Sequence, residues 1–132
     1  KKLENNVNIF NFIKNEEVVS LYKNSIALVM PTFVARSTLP LYEAFYFKKP
    51  VFYSKNVLDE NLEQYVNLFD LENPKDLSNK LGNLIKNETD SEQKINDAYN
   101  FYLEQCSEKN FVNNYQQILE KYRYLSQRWK DK

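Results

Sequence analysis

Apolar and polar residues form short blocks along the first half of the chain, and their spacing changes from one block to the next. Residues 7–10 alternate with a period of two, and the unbroken apolar run at 26–30 is typical of a parallel strand covered on both faces. Two more strands are predicted at residues 50–53 and 66–69. Helical spacing lies between the strands, at residues 16–23, 39–47 and 58–65. Strands that alternate with helices predict an α/β fold, here a four-stranded, Rossmann-like parallel sheet.

The second half of the chain carries helical spacing and no further strand pattern. Asn73 and Pro74 are typical of an N-cap and a first helical residue, and the polar stretch 87–90 separates this helix from two more, at residues 91–108 and 110–130. The last helix has an apolar stripe that we expect to pack on a neighbouring element. The stripe consists of Phe111, Tyr115, Ile118, Leu119, Tyr122, Leu125 and Trp129.

The length of the chain fits a single domain. Its 132 residues can bury a substantial core, and we expect an α/β part over residues 1–87 followed by a helical tail over 88–132. The one glycine, Gly82, falls inside a helical pattern, which indicates a close-packing position rather than a phosphate-binding loop.

The predicted helix at residues 39–47 is apolar on every face except for one carboxylate, Glu43. A helix apolar all round is normally buried, and a buried carboxylate must pair, become neutral or meet a ligand. Glu43 is therefore the candidate functional residue of the chain. The alternative is that it pairs with Lys48 or Lys49, or reaches water at an edge.

The start of this helix is a candidate anion site. Ser37 and Thr38 are suitable N-caps, and Pro40 is tolerated in a first turn. Free N–H groups and the positive end of the helix dipole favour a phosphate there, to which Thr38 adds a hydroxyl donor. In open α/β sheets such sites lie beyond the carboxyl ends of the strands. The alternative is an ordinary N-cap that binds nothing.

Charge and composition exclude several classes of function. The 18 basic and 18 acidic residues balance, which argues against a nucleic-acid partner or a polybasic membrane anchor. Without histidine and with one cysteine, Cys106, the chain has no Ser-His-Asp triad or ordinary zinc site. We expect Cys106 to be a reduced, packed thiol in a cytoplasmic protein, with peripheral membrane association left open and no transmembrane segment.

A resemblance to a known family is carried by residues 20–32 (SLYKNSIALVMPT), 39–45 (LPLYEAF) and 49–51 (KPV). These segments resemble the C-terminal domain of group 1 glycosyltransferases of the GT-B fold, and the resemblance extends from residue 7 to about residue 86. It implies a nucleotide-sugar donor, a glycan or lipid-linked acceptor, bacterial polysaccharide biosynthesis, and no metal or other cofactor. Because the chain begins with Lys1, we expect a fragment that lacks its N-terminal domain and is inactive alone.

Carried over residue by residue, the resemblance places the second glutamate of the family's E-x7-E motif on Glu43. There it implies hydrogen bonds to the donor ribose. It also implies that the donor diphosphate lies against Thr38 and the backbone at Leu39. Ser37 and Arg36 would flank the donor.

The chain departs from the family pattern at two positions. The first glutamate of the motif falls on Ala35, which affects the contact with the donor sugar. Similar loops without that acid occur in bacterial polysaccharide glycosyltransferases, so we interpret Ala35 as a variant. Lys48 replaces a glycine at the helix end, where the left-handed conformation costs a lysine energy, so we expect a differently shaped turn. Lys55, in a loop that faces the donor in the family, is a weaker candidate for a phosphate contact.

Two other classes of function remain as alternatives. One is a non-catalytic interaction domain that keeps the GT-B scaffold after losing the acid at Ala35. The other is an unrelated flavodoxin-like or response-regulator-like module, for which the chain lacks the expected acidic cluster and phosphate loop.

Overall fold

A parallel three-stranded sheet organises the part of the chain that the computed structural model describes, residues 6–34, 37–55, 57–86 and 89–130. The fold is α/β with C-terminal helices, as predicted. The elements in chain order are α1 (Asn15–Asn24), β1 (Leu28–Met30), α2 (Leu39–Tyr46), β2 (Val51–Ser54), α3 (Glu60–Glu63), β3 (Asn67–Phe69), α4 (Pro74–Lys86), α5 (Thr89–Gln105) and α6 (Glu108–Lys130).

The strands lie in the order in which they occur along the chain, β1-β2-β3, and both pairs are parallel. Leu28 of β1 is paired with Val51 of β2, and Phe52 of β2 is paired with Asn67 of β3. All four residues of the central strand β2 are buried, as expected for a strand with neighbours on both sides. α2 lies in the crossover between β1 and β2, so its N-terminus follows the carboxyl end of β1.

The strand predicted at residues 7–10 is wrong. No described residue pairs with this segment, and Ile9 is 86% exposed. A short alternating segment is stable as a strand only beside another strand, and the described sheet offers it no such neighbour. The described sheet therefore has three strands instead of four.

Two helices begin one or two residues earlier than the sequence predicts. α1 begins at Asn15, and its N-cap is Lys14, whose backbone N–H donates to the Glu17 carboxylate at 3.1 Å. α6 begins two residues earlier than predicted, because Ser107 accepts a hydrogen bond from the backbone N–H of Asn110 at 3.2 Å. Both changes are small, and the existence of each helix is confirmed.

The main core lies beneath α2, which packs against α5. Aromatic contacts continue from α2 to α5: the rings of Phe45 and Tyr65 are 6.1 Å apart, and those of Tyr65 and Phe101 are 4.6 Å apart. The buried cluster consists of Leu41, Ala44, Phe45, Val51, Tyr53, Leu58, Leu62, Val66 and Ala98. This packing places α2, and with it Glu43, against the sheet.

The turn after α2 keeps the shape that a glycine would give it. Lys48 has a φ of 52°, in the left-handed region. The backbone N–H of Lys48 donates to the Phe45 carbonyl at 3.0 Å and that of Lys49 donates to the Ala44 carbonyl at 2.8 Å, which is the Schellman pattern. The Lys48 ammonium lies 4.4 Å from the centre of the Tyr99 ring, a cation–π contact that offsets part of the conformational cost. The expectation of a differently shaped turn is therefore wrong.

Gly82 lies inside α4 without a close neighbour. A Cβ added there would meet nothing within 4 Å, so the predicted close-packing position is wrong. We expect Gly82→Ala to raise the free energy of unfolding by about 0.5–1 kcal/mol, because alanine loses less backbone freedom in a helix. Chemical denaturation measures the change. A loss of stability would reveal a contact that the structure does not show.

Asp76 ties the first turn of α4 to the end of β3. Its carboxylate accepts hydrogen bonds from the Lys80 ammonium at 2.8 Å and from the Asp70 backbone N–H at 2.9 Å. The Lys80 ammonium also donates to the Leu68 carbonyl at 2.7 Å. The bond from Lys80, followed by that from Asp70, holds the pKa of the Asp76 carboxyl below its usual range.

The stabilisation by Asp76 should therefore depend on pH. Because its pKa is lowered on folding, its contribution is complete above the unfolded value, about pH 4, and is lost as pH falls through the lower folded value. We expect Asp76→Asn to destabilise the chain at neutral pH and the difference from wild type to shrink in acid. Urea denaturation across that range measures it. A difference that is the same at all pH values would contradict the ionic origin.

The apolar stripe of α6 forms as predicted, but the described residues leave much of it uncovered. Phe111, Tyr115, Ile118 and Tyr122 are each more than half exposed, and Trp129 is 73% exposed. The expectation that the stripe packs is thus not met by this part of the chain. Within the described ranges, no helix has both the length and the apolar character needed to cross a membrane.

Candidate functional site

Glu43 lines an open groove of about 590 Å³ along the outer face of α2. The groove residues that α2 contributes are spaced three or four positions apart, so they lie on one face of the helix. The C-terminal end of α5 forms the other wall. The lining residues are Ser37, Thr38, Leu39, Tyr42, Glu43, Tyr46, Phe47, Tyr102, Gln105 and Cys106.

Four of the five predicted site residues come together in this groove: Ser37, Thr38, Leu39 and Glu43. The fifth, Arg36, lies outside the described residues, as does Ala35.

Lys55 belongs to another part of the fold. Its backbone N–H donates to the Phe69 carbonyl at 2.9 Å, and its positive charge contributes to the low pKa of Asp76 in α4. Lys55 is not among the residues that line the groove. Its predicted phosphate contact therefore has no support from the geometry.

At the start of α2, the N-cap position and the side chain that makes the capping hydrogen bond belong to different residues. Thr38 is at the N-cap position, but its side chain makes no capping hydrogen bond. Instead the Ser37 hydroxyl accepts a bond from the Leu39 backbone N–H at 3.2 Å. Pro40 has no N–H to offer. A phosphate that binds the Leu39 N–H would thus compete with Ser37, while the Thr38 hydroxyl is not used for capping.

Among the described residues, the side chain that bonds to the Glu43 carboxylate is a tyrosine from α1 and not a lysine. The Tyr22 hydroxyl donates to Glu43 Oε2 at 2.9 Å and lies 3.2 Å from the Pro40 carbonyl oxygen. Lys49 donates instead to the Lys23 carbonyl at 3.0 Å. The suggested pairing of Glu43 with Lys49 is therefore wrong, and the ammonium of Lys48 is likewise placed elsewhere, over an aromatic ring.

Glu43 is only half-buried, and Leu39 and Tyr46 of α2 are more than half exposed, so the expectation of a helix buried on every face is also wrong. The alternative that Glu43 lies at an edge is the one that agrees with the structure.

Burial and the neighbouring Glu43 carboxylate, in that order, raise the pKa of Tyr22 far above that of a free phenol. Tyr22 therefore keeps its proton and acts as a hydrogen-bond donor at any ordinary pH. Sequence patterns did not identify Tyr22 as the partner of Glu43, because the helical spacing of α1 does not distinguish this tyrosine from an ordinary apolar position. The only available signal was its place within the segment that resembles the glycosyltransferases.

Aromatic side chains from both α2 and α5 line the groove beside its polar groups. The rings of Tyr46 and Tyr102 lie 5.5 Å apart, and Tyr42 stacks near Phe101 at 6.2 Å. Cys106 is exposed in the same groove, so its prediction as a packed thiol is wrong. Flat aromatic faces beside a carboxylate and hydroxyls suit a ligand with both apolar and polar surfaces.

The described residues contain no group of three or more cysteine, aspartate or glutamate side chains that could hold a metal ion. What the groove offers is a carboxylate oxygen, hydroxyl groups and the positive end of a helix dipole. These groups can accept hydrogen bonds from sugar hydroxyls and stabilise a phosphate.

Comparison with known protein families gives a match. The family model described as "Glycosyl transferases group 1" matches residues 1–101, which is more than half of the chain and includes every residue of the predicted site. No curated protein and no solved structure matches the chain.

Proposed function

Because the chain belongs to the group 1 glycosyltransferases, we propose that it binds the nucleotide-sugar donor of a sugar-transfer reaction. The observation that carries this proposal is the position of Glu43. It lies in the same groove as Ser37, Thr38 and Leu39, with one carboxylate oxygen bonded to Tyr22. The family match supports a transferase, and the groove supports the place at which the donor would bind.

The proposed roles follow from the chemistry of each group. Glu43 accepts hydrogen bonds from the hydroxyls of the donor ribose. The Thr38 hydroxyl and the first turn of α2 hold the diphosphate, where the positive end of the helix dipole stabilises the charge that develops on the leaving group. Ser37 shares this role if its hydroxyl releases the Leu39 N–H. Arg36 is proposed to flank the donor. The site would need no metal or other cofactor.

The remaining parts of the reaction are proposed from the family. The acceptor is a glycan or a lipid-linked sugar, the donor sugar is a hexose or a related sugar, and the setting is polysaccharide biosynthesis in the bacterial cytoplasm. An N-terminal domain of the same protein would complete the enzyme, and the exposed stripe of α6 is a suitable surface for it. On this view the chain alone binds the donor but does not transfer sugar.

The test is a protein-observed NMR titration of the chain with uridine, guanosine and adenosine diphosphates. We expect one of them to shift the resonances of residues 37–43 and to leave the distant α4 unchanged, because the groove lies along α2. Shifts that are spread evenly over the surface would contradict a donor site in the groove. In a protein that joins this chain to its N-terminal domain, the absence of transfer from every nucleotide-sugar would contradict the enzymatic proposal.

A second candidate function is favoured by α6 and by Ala35. The uncovered apolar stripe suits a protein partner, and the alanine replaces an acid of the family motif. A folded chain that binds no nucleotide, within a complete protein that transfers no sugar, would be a non-catalytic interaction domain.

A further inference from the structure

We propose that Tyr22 is a positioning residue for Glu43: its hydroxyl holds one carboxylate oxygen so that the other remains open to the donor ribose. The inference rests on the proposed function and goes beyond it, because Tyr22 belongs to α1 and is not among the groove-lining residues.

The ring of Tyr22 is fixed relative to the helix that carries Glu43. It stacks on Phe47 with ring centres 5.3 Å apart and an angle of 9° between the planes. Phe47 is the C-cap of α2, and its backbone N–H donates to the Glu43 carbonyl at 3.0 Å. The stack therefore aligns the phenol with the same turn of α2 from which the carboxylate extends.

The hydroxyl of Tyr22 has two acceptors within reach and one proton to donate. Glu43 Oε2 lies at 2.9 Å, and the Pro40 carbonyl oxygen lies at 3.2 Å. The carboxylate is the closer acceptor and the charged one, and a hydrogen bond to a charged acceptor is the stronger of the two. The phenol is thus directed at Glu43, with the start of α2 as a secondary contact.

The hydrogen bond from Tyr22 leaves one oxygen of the Glu43 carboxylate available. A carboxylate accepts hydrogen bonds on both oxygens, and no hydrogen bond to Glu43 Oε1 is found among the described residues. A ribose presents two adjacent hydroxyl donors, which suits an acceptor held in one orientation. Because a glutamate side chain has several rotatable bonds, holding Oε2 orders the side chain before the ligand arrives.

The experiment compares each ribonucleoside diphosphate that binds with its 2′-deoxy counterpart, by NMR titration of the chain. For the wild type we expect at least about a tenfold preference for the ribose form, the usual effect of a hydrogen bond to a charged group. We expect Tyr22→Phe to keep the ring stack but to lose most of this preference. Tyr65→Phe is the matched control, since it removes a hydroxyl from another half-buried aromatic cluster, and it should keep the wild-type ratio.

The outcomes separate the inference from the function on which it rests. If Glu43→Ala abolishes the ribose preference and Tyr22→Phe leaves it intact, Tyr22 has no positioning role and the donor site stands. Equal weakening of both nucleotides by Tyr22→Phe, with an unchanged ratio, would indicate a structural role only and would also overturn the inference. A wild-type chain that binds no nucleotide, or binds both forms equally, overturns the proposed ribose contact and the inference together.

Discussion

Replacing Glu43 by alanine is expected to weaken binding of the preferred nucleoside diphosphate by about 10- to 100-fold, the effect of losing one or two hydrogen bonds to a charged group. The loss should be large because no other carboxylate lines the groove among the described residues. NMR titration or calorimetry measures it, provided that chemical denaturation shows the variant to be folded.

The control for this variant is Glu60→Ala, which removes the same charge from an exposed position at the start of α3. It should leave nucleotide affinity unchanged, because α3 contributes no residue to the groove. Equal weakening by both substitutions would point to a general effect of net charge. Undiminished affinity in Glu43→Ala would remove the central residue from the proposed site.

The largest effect on stability is expected at Phe45, which is 1% exposed and lies between the rings of Tyr42 and Tyr65. Phe45→Ala should lower the free energy of unfolding by about 3–5 kcal/mol, because it removes a buried ring and leaves a cavity beneath α2. Since small domains are stable by only about 5–15 kcal/mol, a measurable unfolded population should follow. Denaturation in urea provides the measurement.

Phe111→Ala is the matched control for Phe45→Ala, since it removes the same side chain from a position that is 68% exposed. We expect a change within about 0.5 kcal/mol. If the two substitutions cost the same, the packing of α2 on the core would not be as described. If Phe111→Ala were the more damaging of the two, the stripe of α6 would be covered in solution.

The elements that sequence patterns predicted well are those with a local cause. The apolar run at β2 and the Asn73-Pro74 start of α4 depend on neighbouring residues only, and both are confirmed. The run at 26–30 does form a strand, but only over Leu28–Met30, and these residues are half-buried while Ile26 is 66% exposed. The described residues therefore do not cover β1 on both faces, as its apolar run predicted. The strand at residues 7–10 failed because alternation reveals which side chains share a face but not whether a partner strand exists.

Part of the groove lining could be predicted from the sequence, because several polar residues of the groove lie in α2 or just before it. Ser37, Thr38, Leu39 and Glu43 lie within one short segment, so the local pattern brought them together. Tyr22 could not be identified in this way. Its contact with Glu43 depends on how α1 packs against α2, and periodicity within either helix says nothing of that distance. Tyr102, the aromatic residue that α5 adds to the groove, was missed for the same reason.

At Lys48 the packing of the helix overrides the residue's own preference against the left-handed backbone conformation. The left-handed conformation costs a non-glycine residue about 1–2 kcal/mol, which is less than the packing of α2 and its Schellman bonds can contribute. For α6 the limit of sequence-based prediction is different. The spacing of apolar residues predicts an apolar face, but it does not identify the surface that covers this face.

The position of α2 in the crossover between β1 and β2 links ligand binding to the cooperativity of folding. Parallel pairing of these strands joins segments far apart in sequence, so the groove and the Tyr22–Glu43 contact should form only when the crossover closes. A nucleotide that binds this site would then recognise the native state alone. At a hundred times its Kd it would add about 2.7 kcal/mol to the free energy of unfolding. Thermal melting should therefore rank nucleotides by affinity without any assay of sugar transfer.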